Sequence, residues 1–235
     1  MVKAIAEIKN LVNRTLTSSS HSRSKQRHER LSDLVERGVL LSILDLALSD
    51  TDYLSFIASS SYTHYNNFDK FRLLSDNELA YDLRLHIWWP GSHKTNKENI
   101  HDHRWDFSSV ILKGEYSFEL YETAGKGIEV YEYRYSNFAG AIPYSMPLIR
   151  KAKLNCVMLG KKKLGDAYTL KHNIIHRVTC NTDDITATLV LRGHTMKNHA
   201  RVFTDLSNIN MHNTGSSAFS PASVSNKFKR LLLSL

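Results

Sequence analysis

The sequence predicts a mainly β protein, an antiparallel sandwich or barrel that follows a helical N-terminal region. From Tyr81 onward, short segments with alternating apolar residues, rich in β-branched and aromatic types, are separated by turn signals and show no helical period. Before Tyr81, apolar residues recur at steps of three and four. This change of period divides the chain near residue 80.

Residues 1–80 are predicted to be helical. One apolar stripe runs from Ile5 to Leu16, and a second runs from Leu31 to Leu48 after a serine-rich break. A third, shorter helix is expected over 52–59, capped by Thr51 or Asp50. Each helix has a single apolar stripe that must be buried, so this region is interpreted as a cap packed on the β region.

Residues 81–205 are predicted to form the β-barrel, with turns at Gly114, 125–127 and Gly193. Residues 206–235 are predicted to be a polar tail, loose over 208–225, with a short basic amphipathic helix after it. This helix is expected to pack on the body or on a second copy in a homodimer, in preference to a membrane surface. The predicted strands are 83–89, 107–112, 115–122, 129–135, 167–170, 176–179 and 186–191.

Composition excludes several classes of protein. The chain has 235 residues and a formal charge of +8, and its longest apolar runs fall far short of the roughly 20 residues of a membrane span. Charges at Lys3, Glu7 and Lys9 interrupt any signal peptide, so a cytoplasmic protein with reduced Cys156 and Cys180 is expected. The basic residues are scattered and lack a recognition motif, so neither nucleic acid nor membrane is expected as a partner.

Three histidines stand in a pattern that a metal ion would explain. His101 and His103 are two residues apart, and on a β-strand residues at this spacing point to the same face. The polar segment around them leads into a predicted buried strand that ends at Gly114. Much later, His176 opens another apolar strand as His-Arg-Val.

These two segments resemble the metal motifs of the cupin superfamily, most closely those of cysteine dioxygenase and related thiol dioxygenases. The resemblance covers roughly residues 81–193. It implies a jelly-roll barrel, a cupin-type antiparallel β-barrel, whose interior holds one non-haem iron on His101, His103 and His176.

The sequence departs from the family pattern at several positions, and these departures bear on the metal ligands and on the substrate. The glutamate that usually follows the second histidine is absent near Phe107 and Ser108, which suits a site of three histidines alone. Ser108 stands where animal-type cysteine dioxygenases have a cross-linked cysteine, and 186–193 holds no counterpart of the family's Ser-His-Tyr group. The gap between the motifs is longer than usual, with an insertion expected in 125–165. Cysteine is therefore a doubtful substrate.

The ligand set suggests the chemistry. Three neutral imidazoles leave the full charge on the metal and leave positions open for an anionic substrate and O2. Iron(II) fits this arrangement best. Zinc, manganese, nickel and copper accept the same ligand type.

Further site residues are expected from strand parity. Either Arg84, His86 and Trp88 or their alternating neighbours point inward, and in the first case Arg84 would hold a substrate carboxylate. Arg192 ranks second, and Arg104 third, because strand parity turns Arg104 away from the metal. The remaining candidates are His172 as a nearby base or replacement ligand, Tyr116 and Tyr168 as hydrogen-bond donors, and Trp105 and Phe107 as a dry wall.

Each of these residues also has a purely structural interpretation: a surface arginine, a loop histidine or a tyrosine in the core. The leading hypothesis is an iron(II) dioxygenase acting on a small anionic substrate, with a carboxylate or a thiol. A ligand-binding cupin without activity and a zinc- or manganese-dependent isomerase or hydrolase are the alternatives.

Overall fold

The computed structural model describes residues 2–17, 27–64, 66–91, 98–136, 146–181, 183–205 and 217–235. Four helices precede the strands and one follows them. Asp50 caps the fourth helix by accepting hydrogen bonds from the backbone N–H groups of Asp52 and Tyr53 at 3.1 and 2.9 Å, and Ser220 caps the fifth. The helices are α1 (Val2–Thr17), α2 (Arg27–Glu36), α3 (Val39–Ser49), α4 (Thr51–Ser59) and α5 (Pro221–Leu232).

The described strands form two antiparallel sheets. They are β1 (Tyr62–Thr63), β2 (Asp69–Asp76), β3 (Tyr81–Trp88), β4 (Ile100–His101), β5 (Trp105–Lys113), β6 (Glu115–Tyr135), β7 (Leu148–Lys163), β8 (Ala167–Leu170), β9 (Ile175–Cys180), β10 (Thr186–Thr195) and β11 (Ala200–Thr204). The first sheet has the order β1-β2-β3-β10-β5-β8, and the second has the order β11-β4-β9-β6-β7.

The two faces of the first sheet bury different groups. Its outer face carries residues such as Phe71, Leu85 and Leu189, which form one core cluster with the helices. Its inner face turns aromatic and polar side chains toward the second sheet, where Phe107, Phe118 and Val178 belong to another cluster. The helical cap thus closes the outside of the sheet whose inside lines the candidate site. No described helix is long and apolar enough to cross a bilayer.

Several predicted elements differ from the structure. The stripe from Leu31 to Leu48 is divided between α2 and α3, and Gly193 lies within β10 instead of at a turn. Within the region expected to be helical, β1 and β2 are strands, and β2 pairs with β3, so the expected boundary at residue 80 falls inside a hairpin. A register shift between Arg72 and Leu74 buries both Leu73 and Leu74, which breaks the alternation that would have marked a strand. The segment expected to be loose also differs, because α5 starts at Pro221. Residues 206–216 of that tail lie outside the described part.

The turn predicted at 125–127 is a bulge within one long strand. Thr123 and Ile128 of β6 are both opposite Leu154, so the residues between them loop out while pairing with β7 continues on either side. The segment expected as an insertion, 125–165, contains the second half of β6 and the whole of β7, and residues 137–145 lie outside the described part. The register of β7 along β6 requires long-range pairing that local patterns do not encode.

Candidate metal centre

Three histidines meet inside the barrel. His101 lies on β4, His103 follows it, and His176 lies on β9 directly opposite His101 in the antiparallel register. One ring nitrogen from each lies within 4.8 Å of the others. His101 and His176 are buried, and His103 is half-buried. The β4–β9 pairing therefore brings together residues that are 75 positions apart in the sequence (176 − 101 = 75).

Backbone carbonyls orient two of these rings. The Nδ1 atom of His101 lies 2.8 Å from the carbonyl oxygen of Asn99, and that of His176 lies 3.2 Å from the carbonyl oxygen of Ile174. Because a carbonyl only accepts, Nδ1 is the donor in each ring, and Nε2 keeps its lone pair. Each ring is thus fixed in the tautomer that a metal ligand needs.

Burial keeps the three imidazoles uncharged. It lowers the pKa of His101, lowers that of His103 well below its usual range, and lowers that of His176 to about 3, with neighbouring histidines adding to the last two shifts. Neutral, oriented imidazoles at this spacing fit a divalent transition metal, so this group could hold one.

The three histidines line a cavity of about 310 Å³ between the two sheets. Trp105 and Phe107 line it as well, and the Phe107 ring centroid lies 4.8 Å from that of His103. Trp88 and Phe68 extend the aromatic wall. This wall provides the apolar surroundings in which electrostatic interactions are strong.

The parity of β3 follows the first of the two expected alternatives. Arg84, His86 and Trp88 line the cavity, whereas Leu85 and Ile87 belong to the cluster beneath the helices. The Arg84 guanidinium donates to Asp82 at 2.7 Å. Strand parity therefore predicts correctly which side chains of β3 face the cavity.

Two further arginines line the same cavity. Arg192 on β10 donates to Asp82 at 2.7 Å, and its guanidinium lies 4.3 Å from the centroid of the Trp105 ring. Arg104 also lines the cavity, so the expectation that it points away is wrong. Residues 102–104 are not in a strand, and parity does not apply to them.

The two candidate tyrosines face each other across the cavity. The hydroxyl oxygens of Tyr116 on β6 and Tyr168 on β8 lie 2.8 Å apart. Burial raises the pKa of Tyr116 well above its usual value and raises that of Tyr168 to about 12. Both hydroxyls therefore keep their protons at neutral pH.

His172 is not brought into the cavity. Its Nδ1 atom and its backbone nitrogen each lie 2.8 Å from the Asp106 carboxylate, and it is absent from the cavity lining. The prediction that His172 faces the same way as His176 requires residues 172–176 to form one extended segment. Residues 171–174 instead form a turn.

Local sequence patterns did not indicate several of the residues that line the cavity. Lys70 and Arg72 lie on β2, within the region 1–80 that is expected to be helical, and His64 comes from the connector before it. Glu98, whose pKa burial raises to about 8, precedes the first histidine motif. The alternation of Lys70 and Arg72 with Phe71 is typical of a strand and could have placed both side chains on one face. No sequence pattern indicated that His64 lines the cavity.

No family model matches this chain, and no curated protein matches it. Solved structures that resemble it include the cupin domain of CENP-C from Drosophila melanogaster, at 10% identity and a TM-score of 0.35, covering 67% of this chain and 98% of that one. An RmlC-like cupin from Shewanella frigidimarina is 9% identical with a TM-score of 0.34, covering 59% and 86% of the two chains.

A third similar structure is hydroquinone 1,2-dioxygenase PnpCD, solved with Cd²⁺ and 4-hydroxybenzonitrile. It is 11% identical with a TM-score of 0.32, and the similarity covers 52% of this chain and 61% of that one. The antiparallel sheets and the cavity between them are what give this chain its cupin-type, jelly-roll fold.

Proposed function

We propose that this protein is a mononuclear non-haem iron(II)-dependent dioxygenase that acts on a small anionic substrate, carrying a carboxylate or a thiol, with O2 as co-substrate. The observation that carries the proposal is the group of three neutral histidines in an arginine-lined cavity. His101, His103 and His176 would hold the metal. When bound, iron(II) would supply the capacity to activate dioxygen beside the substrate.

The chain's own residues supply binding and orientation. Arg84 and Arg192 lie in the cavity, where a guanidinium can hold a carboxylate by two parallel hydrogen bonds. Because three imidazole ligands add no negative charge, an anionic substrate is favoured over a neutral sugar. The Phe107 and Trp105 rings exclude water from the space next to the histidines.

Tyr116 and Tyr168 hold protons that they can donate to an oxygen atom in the cavity. The two hydroxyl oxygens lie 2.8 Å apart and share one hydrogen bond. The hydroxyl that accepts in this bond can donate its own proton to a bound group. We assign them the role of hydrogen-bond donors to substrate or oxygen. His172 has no role in this proposal.

Metal analysis combined with an oxygen-electrode screen tests the function. The full-length protein, loaded anaerobically with iron(II), should consume O2 with some member of a panel of small carboxylic acids and thiols, and a His103→Ala variant should consume none. Iron-loaded protein that uses no oxygen with any panel member would contradict the proposal and favour a ligand-binding cupin. Zinc or manganese in the purified protein, without oxygen use, would favour an isomerase or hydrolase.

A further inference from the structure

An unusual concentration of positive charge lies on the inner face of the first sheet. Arg84 and Arg192 each place a guanidinium nitrogen 2.7 Å from the same oxygen, Oδ2 of Asp82, and the Nε atom of Arg72 lies 3.1 Å from Oδ1. All three arginines line the cavity. One carboxylate thus holds three guanidinium groups at a single place in the site.

Strand register places like charges against each other there. Arg72 of β2 is directly opposite Arg84 of β3, an arrangement that is destabilising when nothing lies between the two cations. Lys70 is the next inward residue on β2 and lies opposite His86. Burial lowers the pKa of Lys70 well below its usual value, and Arg84 and Arg192 lower it further. Arg72 and Arg84 are thus held side by side by the Asp82 carboxylate that both of them contact.

The carboxyl groups of the cavity do not balance these cations. Asp102 is engaged elsewhere, because Lys197 and Arg201 each donate to it at 2.7 Å. Glu98 is protonated at neutral pH, since burial raises its pKa to about 8. Among the described residues, Asp82 is the charged carboxylate that contacts Arg72, Arg84 and Arg192. Two of these three positive charges are left over (3 − 1 = 2).

Two of these arginines also have hydrogen-bond donors that are not used. The Nε atoms of Arg84 and Arg192 are buried and have no hydrogen-bond partner in the described part of the chain. Leaving a buried charged donor unsatisfied costs at least about 1–3 kcal/mol in general. The Trp105 ring, 4.3 Å from the Arg192 guanidinium and 5.5 Å from that of Arg84, helps to hold both groups in place.

From this geometry we propose that the cavity contains a subsite for a phosphate or phosphonate group, formed by Arg72, Arg84 and Arg192 around Asp82. A carboxylate supplies one negative charge and two oxygens. A phosphate monoester supplies about −1.5 to −2 charges near neutral pH and three terminal oxygens, which match three converging guanidinium groups. The substrate class is therefore a small carboxylate or thiol that also carries a phosphate or phosphonate group.

This inference deepens the proposed function, on which it rests for the reaction but not for the binding. The anionic group of the substrate would lie on the first sheet, and the remainder would extend along the Phe107 and Trp88 wall toward the histidines. The predicted role of Arg84 as a carboxylate clamp is thereby replaced by a shared role in holding a dianion.

Isothermal titration calorimetry with inorganic phosphate tests the subsite. The full-length protein is first treated with a chelator, so that phosphate cannot bind through a metal, and ionic strength is held constant. We expect phosphate to bind about tenfold or more tightly than acetate or malonate, and Arg192→Gln to weaken phosphate binding by about tenfold or more. Circular dichroism verifies that the variant is folded.

Two further variants separate a specific subsite from general attraction by a protein of charge +8. Arg150→Gln removes an exposed arginine that pairs with Glu132 outside the cavity, and it should leave phosphate affinity unchanged. Asp82→Asn removes the internal competitor for the three guanidinium groups and should strengthen phosphate binding. A merely structural role for Asp82 would predict weaker binding instead.

Phosphate binding no tighter than that of acetate, or equal weakening by Arg150→Gln and Arg192→Gln, would overturn the subsite. Tighter binding of malonate than of phosphate would also overturn it, in favour of a dicarboxylate. If Asp82→Asn fails to fold, the comparison of Arg192→Gln with Arg150→Gln still decides. Phosphate binding without oxygen use would retain the subsite and reject the dioxygenase, whereas oxygen use with no phosphate affinity would do the reverse.

Discussion

At the scale of single residues, burial determines the chemistry of the site. The same loss of water that keeps His101 and His176 neutral keeps the Tyr116 and Tyr168 hydroxyls protonated. Titratable side chains of several kinds are therefore held in their uncharged forms within one cavity. The arginines are the exception, because a guanidinium does not lose its proton in proteins.

Removing one of the three imidazoles should abolish metal binding. His103→Ala leaves two nitrogen ligands, and we expect its metal affinity to fall by more than the about 10–100-fold typical of losing a supporting group outside the ligand set. Metal content after dialysis against a limiting concentration of chelator measures the effect.

His172→Ala is the matched control for this prediction. It deletes a half-buried imidazole that bonds Asp106 outside the cavity, so metal content should be unchanged. An iron-loaded His103→Ala protein, or an equal loss of metal in His172→Ala, would show that the ligand assignment is incorrect.

At the scale of elements, a tight turn and a set of hydrogen bonds fix how neighbouring elements of the barrel are connected. Gly114 joins β5 to β6 with a φ of +71°, a backbone conformation that residues with a Cβ rarely adopt. Asp76 at the end of β2 accepts hydrogen bonds from the backbone N–H of Leu79 at 2.9 Å and from Asn13 of α1 at 3.0 Å. The Asp76 contacts tie α1 to the β2–β3 hairpin, and the turn at Gly114 joins the first sheet to the second.

Gly114→Ala should destabilise the barrel. A Cβ at this position would lie 2.6 Å from the carbonyl oxygen of Ile185 and 2.8 Å from Oγ1 of Thr186, in addition to the unfavourable φ. We expect the free energy of unfolding in urea to fall by about 1–3 kcal/mol or more. Gly160→Ala, where nothing lies within 4 Å, is the control and should lose much less. Equal stability of the two variants would contradict the steric assignment.

Asp76→Asn should reduce stability in a pH-dependent way. The Leu79 N–H, followed by the Asn13 side chain, lowers the pKa of Asp76 to about 2 in the folded protein. A depressed folded-state pKa stabilises the fold above the unfolded value of about 4, and this stabilisation is lost as the pH falls from about 4 toward about 2.

Urea unfolding of Asp76→Asn and the wild type at several pH values tests this. The stability difference should be largest at neutral pH and should shrink below about pH 4. Asp45→Asn, which changes an exposed carboxylate on α3, should show no comparable trend. A difference that stays constant down to pH 3 would mean that Asp76 is not the titrating group.

At the scale of the whole molecule, the helices and the cavity share one sheet. Leu83, Leu85 and Leu191 pack against the helical cap, while Arg84 and Arg192 on the same strands face the cavity. α5 contributes Phe228 and Val224 to the same core, and both are fully buried. Loss of the cap would therefore expose the back of the sheet that carries the cationic residues.

Deletion of residues 1–49 should give insoluble protein. It uncovers an apolar sheet face that includes Leu85 and Leu189, both inaccessible in the intact protein, and large exposed apolar patches lead to aggregation. The soluble fraction after expression, compared with that of the full-length chain, measures the outcome. A soluble truncation that still binds metal would show that the barrel folds independently of the cap.

The sequence by itself was sufficient where chemistry depends on local periodicity. The spacing of His101 and His103 identified a histidine pair, although His103 lies outside β4 and strand parity does not apply to it. The alternation of Arg84 and His86 with Leu85 and the apolar stripes of the N-terminal helices are readable from the local period. In both of these elements the period of the backbone determines which side chains share a face. The mainly β fold class predicted from the strand patterns, and the jelly roll that the family resemblance implied, are confirmed.

Only the tertiary structure decided which separate elements meet. The β4–β9 register sets His176 against His101, the β2–β3 register sets Arg72 opposite Arg84, and the irregular segment after β4 admits Arg104 to the cavity. The turn at 171–174 sends His172 to Asp106 instead. Parity fails at bulges and turns, and long-range register depends on the packing of the whole core, so no local pattern could have specified these four outcomes.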